Sequence, residues 1–251
     1  MNYQPVNVFQ GILLKKTIFR ETSLICDILT PQAGKIKILA KGVRKPKSSC
    51  YGTLQILAEL EFSTYKKKSS DWHILKTAEL KQTFEADNLE TTAVLQAGAE
   101  LFSQMIIPEL EAANYYKLLK NYLVYTHKIK TNSIALFWRL LLRVFELNGI
   151  APDFDHCLSC GKETPLMGGY HLIKQGFICP DCDKKELPQL TESLNSEEQC
   201  LLQALPTIGN DLQSRIISQS AMQNITNIFM THLNLHFNDH FNLKSLSVLL
   251  S

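Results

Sequence analysis

The sequence predicts a multidomain α+β protein, and three observations lead to this fold class. Residues 8–79 show the two-residue alternation of short β-strands, whereas apolar positions after residue 88 recur at helical spacing. Two cysteine pairs interrupt the helical part. We therefore expect a β-barrel domain over residues 1–80, an α-helical domain over 81–153 and 190–251, and an inserted four-cysteine zinc module over 154–189.

The N-terminal part has the pattern of roughly five strands, over residues 8–18, 22–30, 34–42, 53–64 and 71–79. In the third of these, Ile36 and Ile38 alternate with lysines, so one strand face is apolar and the other is basic. Glycines separate the segments, as turn residues do. This pattern fits a small closed or partly closed barrel of the OB type, and an SH3-like barrel would give nearly the same spacing.

Three consecutive helices are predicted after Asn88, of which the first stops before Pro108 and the third ends at Asn148-Gly149. The most apolar stretch, residues 134–147, contains two arginines and is too short to cross a bilayer. We therefore expect a buried helix there and no membrane contact.

Two more helices are predicted beyond the cysteines. Asn195, with Glu198 three residues later, resembles a capping box, and leucines continue that helix until Pro206. A final helix over about residues 222–233 has its apolar side chains on one face.

The net charge of +2 conceals an asymmetry along the chain. Residues 1–80 hold 13 Lys and Arg against 6 Asp and Glu, a net of +7, so the remaining residues carry a net of −5. A basic N-terminal part favours a polyanionic partner. Near the start, no cationic segment precedes an unbroken apolar core, so we expect a cytoplasmic protein whose cysteines are reduced or bind metal.

The cysteine pairs carry the most specific motif. Cys157 and Cys160 are separated by two residues, as are Cys179 and Cys182, with 18 residues between the pairs. Two such pairs supply the four thiolates of a tetrahedral Zn²⁺ site, although four unligated buried thiols would have the same spacing. Because four protein ligands leave no open position, the zinc is expected to be structural.

A second motif is the cluster of cations that follows the third strand. If these residues and the preceding strand lysines share one surface, they can follow the phosphates of a nucleic acid, although a charged run is often only a solvated loop. Lys66-Lys67-Lys68 is typical of a hairpin tip. Tyr51, Tyr65 and Trp72 are candidates for stacking on bases, and the alternative is that they pack in the barrel core. The candidate nucleic-acid-binding residues are Arg20, Lys35, Lys37, Lys41, Arg44, Lys45 and Lys47.

Two stretches of the sequence carry a recognisable set of short motifs. The first covers Gly11 to about Leu60, and the second begins at Phe145-Glu146-Leu147 and continues through the cysteines to Cys182. The first includes Glu21-Thr22, Leu29-Thr30, Gly34-Lys35, Ala40-Lys41-Gly42, Arg44-Lys45-Pro46-Lys47-Ser48 and Gly52 to Leu54; the second includes Gly149, Pro152, Cys160-Gly161 and Gly168-Gly169. In their order and spacing, these motifs resemble the RecO family of bacterial recombination mediators.

The resemblance implies an N-terminal OB-fold, a helical domain and a zinc module. It also implies a DNA repair and homologous recombination accessory protein that binds single- and double-stranded DNA and anneals complementary strands. Its partners would be RecR and the acidic C-terminal tail of single-stranded DNA-binding protein, with RecA loaded indirectly.

Arg139 and Arg143 are candidates for binding that acidic tail. They are spaced i, i+4 among apolar side chains, which suits an acidic and hydrophobic peptide. The alternative is that both arginines pair with helix acids or solvent.

Two other classes of protein share part of this pattern. A zinc-containing OB protein associated with RNA or transcription would have the same barrel and cysteines but would prefer RNA. A metal-dependent nuclease would need clustered carboxylates or an open metal site, and the acids near the cysteines are dispersed. No nucleotide-binding loop or other catalytic motif is evident, so we do not expect an enzyme.

Overall fold

The computed structural model describes residues 7–66, 72–164, 166–210, 212–237 and 239–250. The chain divides into two compact units, Met1–Lys128 with Leu243–Ser245 and Ile129–Asn242 with Leu246–Ser251. The barrel and the first two helices belong to the first unit, and the third helix and the cysteine module belong to the second. The predicted division into three domains stays a prediction.

Five strands form the barrel. They are β1 (Asn7–Phe19), β2 (Ser23–Thr30), β3 (Gly34–Ala40), β4 (Glu59–Lys66) and β5 (His73–Gln82). The barrel closes in the order β1-β2-β3-β5-β4, with β3 parallel to β5 and every other neighbouring pair antiparallel. This order is that of an OB-type barrel, so the prediction is confirmed.

The alternation predicted for β3 is also confirmed. Ile36, Ile38 and Ala40 are buried in the barrel core, whereas Lys37 is exposed. The core is completed by inward side chains of the other strands, among them Leu13, Cys26, Ile28, Leu60 and Phe62.

The predicted fourth strand was wrong at its beginning, because β4 begins at Glu59 and not at residue 53. The chain between β3 and β4 forms successive turns, in which Lys45 N, Ser48 N and Tyr51 N each donate to the carbonyl three residues earlier. Leu57 has φ of 66°, a left-handed conformation that interrupts any strand before β4. Leu54 is nevertheless buried, because the turns fold it against the barrel core.

The three helices predicted in the middle of the chain are present as α1 (Leu89–Gln104), α2 (Ala112–Thr126) and α3 (Ile134–Leu147). α1 begins after Asn88, whose side chain accepts a hydrogen bond from Thr91 N. α3 is buried over most of its surface, as predicted, and Trp138 Nε1 donates to Thr226 Oγ1 at 2.9 Å. Within the described ranges, no helix has both the length and the apolar character needed to cross a bilayer.

Within the first unit, Glu59 joins the barrel to α2. Its Oε1 atom accepts hydrogen bonds from Gln10 Nε2 at 2.6 Å, from Tyr116 Oη at 2.6 Å and from Lys120 Nζ at 2.7 Å. Burial alone would raise the pKa of Glu59, but the hydrogen bonds from Lys120 and Tyr116 outweigh it and hold the pKa below its ordinary value. Glu59 is therefore a buried carboxylate satisfied from two elements.

The rest of the second unit contains β6 (Gly169–His171), β7 (Gly176–Ile178), α4 (Pro180–Asp183), β8 (Thr191–Ser193), α5 (Ser196–Ala204) and α6 (Gln219–Phe237). β6 pairs with both β7 and β8. The predicted capping box is confirmed, because Asn195 Oδ1 accepts from Glu198 N and Glu198 Oε2 accepts from Asn195 N. The predicted final helix corresponds to α6, but a further helix, α7 (Lys244–Leu250), follows it and was not predicted.

Candidate nucleic-acid interface and metal centre

The register of β1, β2 and β3 arranges alternate side chains in rows on the outside of the barrel. Residues directly opposite each other in antiparallel strands project from the same face of the sheet. The rows are Lys15–Asp27–Lys37, then Thr17–Ile25–Leu39, and then Phe19–Ser23 beside the turn that joins β1 to β2. We call this surface the outer β1–β3 face. Its first row has two cations and one acid, so the row is basic overall.

An open depression of about 610 Å³ lies at the end of this face next to the β1–β2 turn. Three cations line it, Arg20, Lys41 and Lys45, together with the apolar side chains of Phe19 and Leu39. The guanidinium carbon of Arg20 lies 5.2 Å from the ring centre of Phe19, which is within cation–π range. The depression therefore combines positive charge with apolar surface.

Hydrogen bonds fix the two turns that border the depression. Arg44 N donates to Thr22 O at 3.1 Å, and Arg44 Nη1 donates to Glu21 O at 2.9 Å. Gly42 N donates to Ser23 Oγ at 3.3 Å, and Gly42 has φ of 69°, which favours glycine at this turn. The depression is thus formed by a defined backbone rather than by side chains alone.

The structure brings together only part of the predicted cation set. Arg20, Lys41 and Lys45 line the depression, Arg44 lies on its bordering turn, and Lys47 is exposed on the turn that follows. Lys37 is exposed in the first row of the outer β1–β3 face.

Lys35 has a different environment. Its ammonium donates to the carbonyls of Ser103 at 2.5 Å and Met105 at 2.7 Å, at the C-terminal end of α1. Burial is the main reason why the pKa of the Lys35 ammonium lies below its ordinary value. A DNA contact by Lys35 stays a prediction, but its ammonium already satisfies carbonyls that the end of a helix leaves without intrahelical donors.

Sequence reasoning missed two residues of this surface, Lys15 and Phe19. Lys15 pairs with Asp27 and Phe19 pairs with Ser23, and this register places both residues on the outer β1–β3 face. Phe19 directly precedes Arg20, and this pair of an aromatic residue and a cation next to a turn was the sequence signal that could have identified Phe19.

Of the residues predicted as candidates for base stacking, Tyr51 is 58% exposed and Trp72 is 38% exposed, whereas Tyr65 is half-buried. Lys67 and Lys68 lie outside the described residues.

The four cysteines predicted as metal ligands lie together, with their Sγ atoms all within 4.8 Å of one another. Cys157 and Cys160 precede β6, Cys179 follows β7 directly, and Cys182 lies in α4. Cys179 N donates to Cys157 Sγ at 3.2 Å. The fold thus brings both pairs to one point.

The electrostatics of this cluster fit a bound cation. Burial would raise the pKa of Cys157, but hydrogen bonds from the backbone of Cys179, Cys160 and Ser159 outweigh it and lower the pKa to about 6. Burial and the neighbouring cysteines raise the pKa of Cys182 to about 12. Without a cation the four thiols cannot all ionise, because each thiolate disfavours the next. A four-thiolate set fits a soft or borderline divalent metal held in a closed tetrahedral site.

A buried histidine connects the cysteine module to α6 within the second unit. His232 Nε2 lies 2.7 Å from Ile150 O, and His232 Nδ1 lies 2.8 Å from Tyr170 Oη in β6. A carbonyl can only accept, so Nε2 donates to Ile150 and Nδ1 accepts from Tyr170. Burial lowers the pKa of His232 to about 4, which keeps this ring neutral.

The two arginines predicted to bind a peptide lie on α3 in different settings. Arg143 is exposed, and its Nη1 donates to Glu146 Oε2 at 2.5 Å. Arg139 is half-buried, with its Nη1 atom close to Gly209. Arg143 thus pairs with a helix acid, as the alternative reading anticipated, and peptide binding at both positions stays a prediction.

Two family profiles match nearly the whole chain. The sequence profile described as "Recombination protein O N terminal" matches residues 6–84, and the one described as "Recombination protein O C terminal" matches residues 86–246.

Similar proteins described as "DNA repair protein RecO" come from several bacteria. The one from Acetivibrio thermocellus is 26% identical over 184 residues, covering 72% of this chain and 71% of the relative. That from Clostridium perfringens is 26% identical over 182 residues, covering 70% and 71%. That from Caldicellulosiruptor saccharolyticus is 26% identical over 226 residues, covering 88% and 89%. Because the two profiles together span the barrel, the helices and the cysteine module, the chain belongs to the recombination protein O (RecO) family of DNA repair proteins.

Proposed function

We propose that the protein binds single- and double-stranded DNA through the outer β1–β3 face and the basic turns beside it, and that it anneals complementary strands. The observation that carries this proposal is the convergence of Arg20, Lys41 and Lys45 on one depression whose lining contains no carboxylate. Lys37 and Lys15 extend the positive charge along the same face. Cations aligned in this way can replace the counterions of a phosphate backbone.

Annealing follows from the physical chemistry of this surface. Two complementary strands repel each other because both are polyanions, and bound lysines and arginines reduce that repulsion. Contacts to phosphates position a strand without occupying the pairing edges of its bases. The reaction needs no nucleotide hydrolysis, because base pairing itself supplies the free energy.

The metal of the cysteine cluster is proposed to be Zn²⁺, held by Cys157, Cys160, Cys179 and Cys182. A closed zinc site would stabilise the surrounding short strands and turns and would offer no position for substrate. Its role is therefore structural. We expect one zinc per chain.

The family also suggests protein partners. We propose that the protein acts with RecR on DNA covered by single-stranded DNA-binding protein and so helps to load RecA indirectly. Arg139 and Arg143 are the candidate contacts for the acidic tail of single-stranded DNA-binding protein. A peptide with the sequence of that tail should bind the wild-type protein more tightly than an Arg139→Ala, Arg143→Ala variant.

Annealing of labelled complementary oligonucleotides without nucleotide tests the proposal. We expect the wild-type protein to accelerate annealing and a variant with Lys41, Arg44, Lys45 and Lys47 changed to Ala to be slower. A control variant changes four exposed lysines elsewhere, Lys117, Lys128, Lys162 and Lys184, to Ala. Both variants lose the same formal charge, so a nonspecific effect of net charge would slow them equally.

Two outcomes would contradict the proposal. The first is a wild-type protein that does not accelerate annealing. The second is tighter binding to RNA than to DNA of the same sequence, together with no annealing, which would favour the RNA-associated class of OB protein.

A further inference from the structure

The depression beside the β1–β2 turn has an apolar floor as well as a basic rim. Half-buried Phe19 and Leu39 line it, and half-buried Ile25 lies beside Leu39 in the same row of the outer β1–β3 face. A phosphate gains nothing from contact with hydrocarbon, so phosphate binding alone does not account for this floor. A nucleobase does gain, because its flat faces stack on aromatic side chains.

The cations of the rim are available for an anion. The ammonium groups of Lys41 and Lys45 make no hydrogen bond or ion pair with any residue in the described part of the chain. The contact of Arg20 is with the ring of Phe19. By contrast, Lys35, Lys120 and Lys174 each donate to acceptors within the protein. The depression therefore offers charge that the fold does not neutralise.

We propose that this depression receives one unstacked base of a single DNA strand, with the flanking phosphates held by Arg20, Lys41 and Lys45. The inference rests on the proposed DNA binding of the same face and adds a preference for unpaired over paired strands. Thr22 and Ser23 also line the depression, and a hydroxyl can both donate and accept, even where it already accepts from Gly42 N as that of Ser23 does, so these residues can accommodate different base edges. We therefore expect little sequence preference.

The site would affect the annealing reaction in a defined way. In a duplex, each base is already stacked and paired, so reaching Phe19 would cost unstacking. A duplex is then held only by its phosphates, whereas a single strand is held by phosphates and by one stacked base. Pairing thus withdraws the base from the depression and weakens the hold on the product.

Fluorescence anisotropy with three labelled ligands tests the base site. The ligands are a short oligothymidylate, an oligonucleotide of equal length in which every position is abasic, and a duplex of equal length. Phe19→Ala should weaken binding of the oligothymidylate about fivefold or more, which is the effect of losing one base–aromatic stack. Binding of the abasic strand and the duplex should not change. The salt slope should also stay the same, because phenylalanine carries no charge.

Matched variants separate stacking from folding. Ile18→Ala removes the neighbouring side chain of β1, which is 65% exposed and alternates to the opposite face, and it should leave all three affinities unchanged. Phe19→Leu keeps an apolar floor without a ring and should bind the oligothymidylate as weakly as Phe19→Ala. Phe19→Trp keeps an aromatic face and should restore binding.

The result that would overturn the base site is oligothymidylate affinity in Phe19→Ala and Phe19→Leu equal to that of the wild type, with a normal salt slope. Displacement of the oligothymidylate by thymidine monophosphate at similar concentration would also overturn it, because the site would then take a free nucleotide rather than a strand. Failure of the proposed function looks different, since the wild-type protein would then lack salt-dependent DNA binding altogether.

Discussion

Two polar residues, buried Glu59 and half-buried Lys35, join the barrel to helices of the same unit. Glu59 accepts from a strand, a tyrosine and a lysine, whereas Lys35 donates to the last carbonyls of α1. Composition cannot distinguish such a lysine from the exposed Lys37 two positions later in the same strand. Sequence alone therefore predicted a basic strand correctly but could not predict which of its lysines faces a helix end.

Replacing Glu59 should destabilise the protein in a pH-dependent way. The pKa of Glu59 is held below its ordinary 4.5, so its contribution to stability is present above that pH and is lost as the pH falls through the lowered folded value. Glu59→Gln should lower the free energy of unfolding by about 1–3 kcal/mol at neutral pH. Urea unfolding at several pH values should show this difference shrinking below pH 4.5. Glu61→Gln, at an exposed carboxylate of the same strand, is the control. Equal effects of both variants would contradict this role.

Replacing Lys35 should affect stability more than DNA binding. Lys35→Met keeps most of the apolar stem but leaves carbonyls at the end of α1 without a donor, so we expect a loss of about 1–3 kcal/mol in the free energy of unfolding. Lys37→Met should leave stability nearly unchanged and weaken DNA binding. Thermal unfolding and anisotropy on the same samples measure both quantities. If Lys35→Met weakened DNA binding without a loss of stability, and Lys37→Met lowered stability without weakening DNA binding, Lys35 would be the lysine that faces DNA.

At the scale of elements, periodicity was sufficient where a segment packs one face against a core and insufficient elsewhere. α1, α2 and α3 were predicted because their apolar positions recur at helical spacing over three or more turns. The segment before β4 has alternating apolar residues but forms turns, because Leu57 takes a left-handed conformation. α7 has seven residues, too few for a clear period. The clustering of the two cysteine pairs was predicted because the spacing of cysteines along the sequence can indicate a metal site without any helix or strand periodicity.

Removing a cysteine should unfold the short elements around the metal site. β6, β7 and β8 have three residues each, and α4 has four, so we expect them to depend on ligation of the proposed zinc for stability. Cys157→Ser should lose the bound zinc, measured by metal analysis, and should lower the thermal unfolding temperature. Cys200→Ser, at an exposed cysteine outside the cluster, should retain the metal. If wild-type protein prepared without metal were as stable as the metal-loaded protein, this result would contradict the structural role of the site.

At the scale of the whole molecule, positive charge is concentrated in the N-terminal third, and the strand register collects part of it on one face. The charge asymmetry was visible in the sequence, but the depression was not, because Phe19 and Lys45 are 26 residues apart and meet only through the turns beside β2 and β3. The polyanionic partner and the seven DNA-binding cations stay predictions, whereas the grouping of Arg20, Lys41 and Lys45 around one depression required the fold.

The dependence of single-strand DNA affinity on salt tests the central claim most directly. If the basic surface neutralises four to six phosphates, the logarithm of the association constant should fall against the logarithm of salt concentration with a slope of about −3 to −4. The variant with Lys41, Arg44, Lys45 and Lys47 changed to Ala should show a shallower slope, whereas the control with Lys117, Lys128, Lys162 and Lys184 changed to Ala should keep the wild-type slope. A flat salt response in the wild type, or equal slopes in wild type and basic-turn variant, would contradict DNA binding by this face.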